Sequence, residues 1–166
     1  METEIKLEVP DLEPIRDRLK ALEAECLGTV DETNVYFDRN HELRDGEQSL
    51  RLRQDGRNRL TWKGPTVFQA GVINRPEIEI MVSSFADATA LLESIGFQEV
   101  ERLIKRRETW RLSGIEIALD SLAFGKFVEL EGPAEVIAST ARAIGLDPRQ
   151  GLSQSYRKLR RARSPH

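Results

Sequence analysis

The sequence is poor in the two side chains that most often build metal and redox sites. Its 166 residues include one cysteine, Cys26, and two histidines, His41 and His166. A single cysteine excludes an internal disulfide framework and a cysteine-rich zinc site, and two histidines leave little scope for a multi-histidine metal centre. A reducing, cytoplasmic compartment is the default expectation.

Long apolar runs and an excess of basic charge are also missing. No apolar stretch approaches the ~20 residues of a membrane span, and charge begins at Glu2, so no signal peptide is visible. Lys and Arg number 25 and Asp and Glu number 28, which argues against a dedicated nucleic-acid-binding protein. The Gly-x-x-x-x-Gly-Lys pattern is absent, so a P-loop is excluded as a phosphate site.

The chain does contain apolar stripes at helical spacing and many short strands. The stripes predict helices at about 11–26, 85–95 and 134–144, with Cys26 buried on the first and Ser84 capping the second. A further short helix and a frayed basic end are expected after residue 156. Turn signals at Asp55-Gly56 and Ser113-Gly114 indicate hairpins. Together these features predict an α+β fold with a mainly antiparallel sheet, its strands near 2–9, 31–38, 48–54, 58–63, 72–82, 98–111, 115–120 and 126–132.

Many strands carry charges of one sign at alternate positions, which puts each pair on one face of the sheet. A sheet with one solvated face explains the alternation by itself. Two details favour another interpretation: pairs of like charge need opposite charge between them, and the helical stripes can cover the apolar face. The pairs are Glu2/Glu4, Glu77/Glu79 and Glu129/Glu131, which are acidic, and Arg51/Arg53 and Lys105/Arg107, which are basic.

If the sheet closes with this face inside, it encloses a charged channel. Carboxylates without Cys or His favour Mg²⁺ or Mn²⁺, and Arg and Lys suit phosphate oxygens. A metal–polyphosphate complex matches both kinds of charge. The candidate lining is Glu2, Glu4, Glu77, Glu79, Asp120, Glu129 and Glu131 on the acidic side, and Lys6, Arg51, Arg53, Lys63, Arg75, Lys105 and Arg107 on the basic side.

The order of these elements resembles the CYTH superfamily, the triphosphate tunnel metalloenzymes. The spacing and length are most similar to the class IV adenylate cyclase branch, although Glu32-Thr33-Asn34 stands where that branch often has Gln-x-Asp. The motifs that carry the resemblance are Glu2-Thr3-Glu4-Ile5-Lys6, Tyr36-Phe37-Asp38, Leu50-Arg51-Leu52-Arg53, Thr61-Trp62-Lys63-Gly64-Pro65, Arg75-Pro76-Glu77-Ile78-Glu79, Ile95-Gly96-Phe97, Lys105-Arg106-Arg107, Asp120, Gly125-Lys126-Phe127-Val128-Glu129-Leu130-Glu131 and Ser155-Tyr156.

The resemblance implies an eight-stranded antiparallel closed β-barrel with helices packed on the outside, forming a single domain over residues 1–160 with a basic tail at 161–166. It implies Mg²⁺ or Mn²⁺ as cofactor. The metal ligands expected are Glu2, Glu4, Asp120, Glu129 and Glu131. The phosphate-binding residues expected are Lys6, Arg51, Arg53, Lys63, Arg75, Lys105 and Arg107, with Lys6, Arg53 and Lys105 as the catalytic candidates. Tyr36 and Glu77 are expected to orient these groups, and Glu79 is expected either to orient them or to bind the metal.

The activity that the resemblance favours is adenylate cyclase, which converts ATP to cyclic AMP and pyrophosphate. One alternative is a triphosphatase that hydrolyses tripolyphosphate, thiamine triphosphate or nucleoside triphosphates. Another is a non-catalytic module that binds polyphosphate or nucleotide. ATP or another triphosphate compound is the expected partner, a homodimer is left open, and neither nucleic acid nor membrane is expected.

Overall fold

A computed structural model describes residues 2–65, 67–69 and 72–164; for residues 2, 3, 67–69 and 72–74 it describes the backbone only. The strands are β1 (Glu2–Val9), β2 (Glu25–Asp38), β3 (Ser49–Gln54), β4 (Asn58–Lys63), β5 (Val67–Gln69), β6 (Val72–Asn74), β7 (Glu77–Met81), β8 (Gln98–Leu112), β9 (Ile115–Leu122) and β10 (Gly125–Pro133). The helices are α1 (Glu13–Ala21), α2 (Glu42–Asp45), α3 (Phe85–Ser94), α4 (Ala134–Ala143) and α5 (Tyr156–Arg163), with a 3-10 turn at Pro148–Gln150.

Eight strands form one antiparallel sheet, which confirms the α+β class. The strand order is β1-β10-β9-β8-β2-β3-β4-β7, and β5 pairs with β6 in a separate two-stranded sheet. Because β1 and β7 stand at the two ends of this order in the described part of the chain, the expected closed barrel is not confirmed. None of the helices in that part has the length and apolar character that a membrane span requires.

The chain divides into two compact units, residues 1–31 with 105–166, and residues 32–104. Strands β2 and β8 contribute one half to each unit. In the first unit, alternation along β1, β9 and β10 turns one set of side chains toward α1 and α4. The resulting core includes Leu7, Leu19, Ile117, Leu130 and Ile137.

The second unit follows the same rule. Val35 of β2 and Leu52 of β3 are buried against Ala88 and Leu92 of α3. The Oγ of Ser84 accepts a hydrogen bond from the Asp87 backbone N–H at 3.1 Å, so the predicted cap of this helix is confirmed.

Both predicted hairpin turns are confirmed. Gly56 has φ 88°, and at the β8–β9 turn Ser113 has φ 51° and Gly114 has φ 77°. At the β8–β9 turn both central residues have positive φ, which is the geometry of the tight turns whose twist matches that of the flanking strands.

The prediction for the first helix was wrong at its C-terminal end. The helix ends at Ala21, because Glu23 adopts φ 55° and the Ala24 N–H bonds to the Leu19 carbonyl at 2.9 Å, which redirects the chain. Cys26 therefore lies in β2 and is exposed, not buried on a helix.

The predicted strand at 72–82 is divided. β6 and β7 belong to different sheets, and Arg75 and Pro76 separate them. Proline has no N–H to donate to a strand ladder, and here the Pro76 carbonyl instead accepts from Gly64 N at 2.8 Å. Strand β5 and helix α2 were not predicted.

Candidate active site

The first unit holds a group of interacting charged side chains opposite its apolar core. β1 and β10 pair so that Lys6 lies directly across from Glu129. β8 and β9 pair so that Arg107 lies across from Asp120. We call this group the acid–base cluster, and its members are Lys6, Lys105, Arg107, Asp120, Glu129 and Tyr156.

Asp120 is the most buried charged residue of the cluster, with 0% of its surface exposed. Its carboxylate accepts from Lys105 Nζ at 3.2 Å, from Arg107 Nε and Nη2 at 2.7 and 2.6 Å, and from Tyr156 Oη at 2.8 Å. Burial alone would raise the pKa of this carboxyl, but the hydrogen bonds and charges of Arg107 and Lys105 outweigh it and hold the pKa below 3.8. Asp120 is therefore an ionised group that fixes two cations.

Glu129 is the second carboxylate of the cluster. It pairs with Lys6 Nζ at 3.2 Å and accepts a hydrogen bond from Arg107 Nη2. Arg107 therefore joins both carboxylates, as a planar guanidinium can. Three cations face two anions, so the cluster carries one excess positive charge.

Tyr156 places an aromatic ring among these charges. Lys6 Nζ lies 4.0 Å and Lys105 Nζ 5.0 Å from the ring centroid. Burial and the charges of Glu129 and Asp120 raise the pKa of its hydroxyl far above 10, so the group is neutral and donates to Asp120. The sequence contained the Ser155-Tyr156 motif but gave no reason to assign this role.

The acidic residues of β1 and β10 are the predicted metal ligands. Glu4 lies directly across from Glu131, and Glu129 shares their face two residues along. Glu2, the other acidic residue predicted on β1, has a side chain that lies outside the described residues. Among residues 2–65, 67–69 and 72–164, no three acidic, histidine or cysteine side chains converge on a point that could hold a metal ion.

The donor chemistry of Glu4, Glu129 and Glu131 nevertheless fits a hard cation, because carboxylate oxygens on one face are what Mg²⁺ and Mn²⁺ bind. Asp120 fits this role less well, since it is fully buried and accepts four hydrogen bonds from protein groups, whereas each oxygen of Glu129 has one such partner.

The second unit carries its own charged group on β3, β4 and β7, which we call the arginine cluster; its members are Arg51, Arg53, Arg59, Thr61 and Glu79. Arg53 and Arg59 lie directly across from each other, as do Thr61 and Glu79. Thr61 donates to Glu79 at 2.8 Å. That hydrogen bond, against the effect of burial and with help from the neighbouring arginines, lowers the pKa of Glu79 below 4.5.

Arg53 is held by the segment that departs from the class IV pattern. Its Nε donates to Asn34 Oδ1 at 2.8 Å and lies 3.2 Å from Glu32 Oε1. Asn34 Nδ2 in turn donates to Glu32 at 2.8 Å, and Glu32 is only 2% exposed. Glu32-Thr33-Asn34 therefore orients a candidate phosphate-binding arginine.

Arg59 was not among the predicted phosphate-binding residues, although alternation placed it beside Thr61 and Lys63. It donates to Asp55, and its Nη1 lies 3.5 Å from Glu79. The Nε atoms of Arg59 and Arg51 are buried and have no hydrogen-bond partner within the described part of the chain. Buried donors of this kind ordinarily have a partner, so both arginines are suited to an anion.

The remaining predicted residues of this unit have separate partners. Lys63 pairs with Glu77 at 3.0 Å. Arg75 Nε donates to the Gly64 carbonyl at 2.9 Å, which ties it to the turn after β4 and not to the arginine cluster. Tyr36 is half-buried on β2 across from Arg51.

Comparison with known proteins gives a consistent result. The family model described as the CYTH domain matches residues 1–144. A Methanocaldococcus jannaschii protein named as a putative adenylate cyclase is 29% identical, over 96% of this chain and 98% of its own.

Two solved structures are similar in fold. One, a putative adenylate cyclase from Vibrio parahaemolyticus, has a TM-score of 0.78 at 21% identity and covers 96% of this chain and 97% of its own. The other is a putative adenylyl cyclase from Hippeastrum, described as having a dominant triphosphatase activity. It has a TM-score of 0.73 at 20% identity and covers 100% of this chain and 98% of its own. At these identities the likeness concerns the fold.

Proposed function

Because this chain belongs to the CYTH domain family, we propose that it is a divalent-metal-dependent enzyme that acts on triphosphate compounds, and that its reaction converts ATP to cyclic AMP and pyrophosphate. The observation that carries the proposal is the acid–base cluster. Its lysines and arginine suit phosphate oxygens, and its Glu129 shares a strand face with Glu4 and Glu131, whose carboxylates suit a hard cation. The relative named as a putative adenylate cyclase favours cyclisation.

In this proposal Mg²⁺ or Mn²⁺ is held by Glu4, Glu129 and Glu131, with Glu2 as a further ligand. When bound, such a cation polarises phosphate oxygens and stabilises the charge that develops on the leaving group. Asp120 keeps Lys105 and Arg107 in place through the contacts that it makes with both.

We assign phosphate binding to cationic side chains. Catalysis of this kind depends on positioning and on charge stabilisation, more than on covalent help from the protein. Glu77, Glu79 and Tyr36 would orient their neighbours. The proposed phosphate-binding residues are Lys6, Lys105 and Arg107 in the first unit, and Arg51, Arg53, Lys63 and Arg75, with Arg59 added, in the second.

A second candidate function, hydrolysis of a triphosphate, is favoured by the surroundings of Tyr156. The ring of this residue faces two ammonium groups, so this ring face is not available for stacking with an adenine base. The other members of the acid–base cluster are suited to a cation or to phosphate, which is all that a triphosphatase needs. Water would then replace the ribose 3′-hydroxyl as nucleophile.

Product analysis tests both reactions. The protein is incubated with Mg²⁺ or Mn²⁺ and, in parallel, with ATP or inorganic tripolyphosphate, and the products are separated by chromatography. Cyclic AMP with pyrophosphate supports the cyclase, whereas ADP with phosphate, or cleavage of tripolyphosphate, supports the triphosphatase. If both compounds stay intact, neither enzymatic function holds, and only a binding module is left.

A matched pair of variants links the activity to the acid–base cluster. Glu129→Gln removes one carboxylate charge from it and should lower turnover by about 100-fold or more, and a chelator should abolish turnover in the wild type. Glu135→Gln, an exposed glutamate on α4, should behave like the wild type. Full activity of Glu129→Gln would contradict the assignment.

A further inference from the structure

Tyr156 is the first residue of α5, and it lies beyond residues 1–144, the part of the chain that the CYTH family model matches. Its side chain nevertheless reaches three charged members of the acid–base cluster. The C-terminal helix therefore delivers a side chain into the site that the strands build.

The ring of Tyr156 contacts the two lysines of the cluster at once. Lys6 comes from β1 and Lys105 from β8, and their Nζ atoms lie 4.0 and 5.0 Å from the ring centroid. The negative face of an aromatic ring attracts ammonium groups, and the attraction is larger when the groups are desolvated. Lys6 is 9% exposed and Lys105 6%, so both contacts are of the stronger kind.

Each ammonium group is also paired with a carboxylate. Lys6 Nζ lies 3.2 Å from Glu129, and Lys105 Nζ lies 3.2 Å from Asp120. A lysine is a point charge at the end of a flexible four-carbon stem. A carboxylate and a ring face acting together fix the position of that charge better than the carboxylate alone.

The ring itself is held firmly. Its hydroxyl donates to Asp120 at 2.8 Å, and its ring packs in a T-shaped arrangement with that of Phe127 at a centroid distance of 5.0 Å. Leu159, one turn further along α5, is buried and anchors the helix. A ring held in a fixed position can in turn fix the positions of the ammonium groups that contact its face.

We propose that Tyr156 is a positioning residue: its ring face holds the ammonium groups of Lys6 and Lys105 at the places from which they bind a triphosphate. The inference rests on the proposed function of the acid–base cluster. It adds the C-terminal helix to the parts of the chain that determine triphosphate affinity.

The test compares three variants of the full chain. Tyr156→Leu removes the ring, and Tyr156→Phe keeps the ring and removes the hydroxyl. Phe124→Leu is the control for packing, because it removes a more distant neighbouring ring whose centroid lies 6.5 Å from that of Tyr156. Affinity for inorganic tripolyphosphate with Mg²⁺ is measured by calorimetry. KM and kcat are measured on the triphosphate that the wild type turns over.

Tyr156→Leu should weaken tripolyphosphate binding and raise KM by about tenfold, within the range that two partly desolvated cation–π contacts support. Its kcat should change by less than about threefold, because the lost contribution is binding shared by the ground and transition states. Tyr156→Phe should restore affinity to within about threefold of the wild type, and Phe124→Leu should bind like the wild type.

Two results would overturn the inference. If Tyr156→Phe loses as much affinity as Tyr156→Leu, the affinity depends on the hydrogen bond from the hydroxyl to Asp120 and not on the ring face. If Phe124→Leu loses as much, the effect is general packing. Should Tyr156→Leu fail to fold, Tyr156→Met gives the same comparison with an unbranched apolar side chain. A wild type that neither binds nor converts any triphosphate would refute the proposed function itself, a result that is separate from the ring comparison.

Discussion

Asp38 follows Phe37 in the Tyr36-Phe37-Asp38 motif, and its buried carboxylate accepts hydrogen bonds from backbone N–H groups. Arg39 N and Leu43 N donate to Oδ1 at 2.7 and 3.0 Å, and Arg44 N donates to Oδ2 at 3.1 Å. Burial raises the pKa of this carboxyl, but the backbone hydrogen bonds outweigh it and hold the pKa below 3.8. The aspartate of this motif thus fixes the chain between β2 and α2.

Asp38→Asn should lower the free energy of unfolding by about 2 kcal/mol at neutral pH, because an amide offers one acceptor oxygen and no charge. A lowered folded-state pKa stabilises the protein above the unfolded value near 3.8, and this stabilisation disappears as the pH falls through the folded value. The difference in the free energy of unfolding between the wild type and Asp38→Asn should therefore become smaller below pH ~4. Urea denaturation between pH 7 and 3 measures it.

The control for this experiment lies on α2. Asp45→Asn changes a carboxylate whose side chain is 68% exposed. At neutral pH the free energy of unfolding of this variant should lie within about 0.5 kcal/mol of the wild-type value. A loss in Asp38→Asn that stays constant from pH 7 to pH 3 would contradict a contribution from the ionised carboxylate.

At the level of single residues, the sequence predicted which charges share a face and not which atoms meet. Alternation placed Lys105 with Arg107 and Glu129 with Glu131. The contact between Lys6 and Glu129 depends on strand register, and register is set by pairing across the sheet. Tyr156 acquires its partners through tertiary contacts, which no local pattern encodes.

Among the elements, helix α3 shows a terminus that local sequence determines. Ser84 has extended φ and ψ, and its Oγ accepts from Asp87 N at 3.1 Å. Ser84→Ala removes this cap and should lower the free energy of unfolding by about 1 kcal/mol. Thermal or urea unfolding measures the loss.

A second serine on the same helix provides the control for the cap. The Oγ of Ser94 donates to the Ala90 carbonyl at 2.7 Å in an exposed position. Ser94→Ala removes this hydrogen bond but introduces a better helix former. The free energy of unfolding should therefore stay within about 0.5 kcal/mol of the wild-type value. Equal losses from the two substitutions would show that the cap is not what stabilises α3.

Where the element predictions were wrong, a backbone conformation decided the outcome. The apolar spacing through Cys26 is typical of a helix. The left-handed conformation of Glu23, which ends the helix, is unusual for a non-glycine residue and cannot be predicted from that spacing. The predicted strand at 72–82 contained Pro76, which alternation alone does not exclude. The positions of the other strands of the main sheet followed from alternation and turn residues, except that β2 begins at Glu25 and not near residue 31.

At the scale of the whole molecule, each unit covers one face of its strands with helices and concentrates charge on the other. The first unit packs α1 and α4 over Leu7, Ile117 and Leu130, and its acid–base cluster lies on alternate positions of the same strands. The second packs α3 over Val35 and Leu52. Ionised side chains are costly to bury unless they are paired. Each cluster has more cations than anions among its members, so an added anion is expected to bind there.

Magnesium tripolyphosphate should therefore stabilise the folded chain whether or not it is turned over. At a concentration of about 100 Kd, binding contributes about 2.7 kcal/mol, which for a chain of this size raises Tm by roughly 5–10 °C. Arg53→Ala removes a phosphate-binding candidate and should lose most of this shift, measured against its own ligand-free Tm because Glu32 also loses a partner. Arg149→Ala, whose parent side chain is 87% exposed, should keep the full shift. An unchanged wild-type Tm, or equal losses in both variants, would contradict a triphosphate site that includes Arg53.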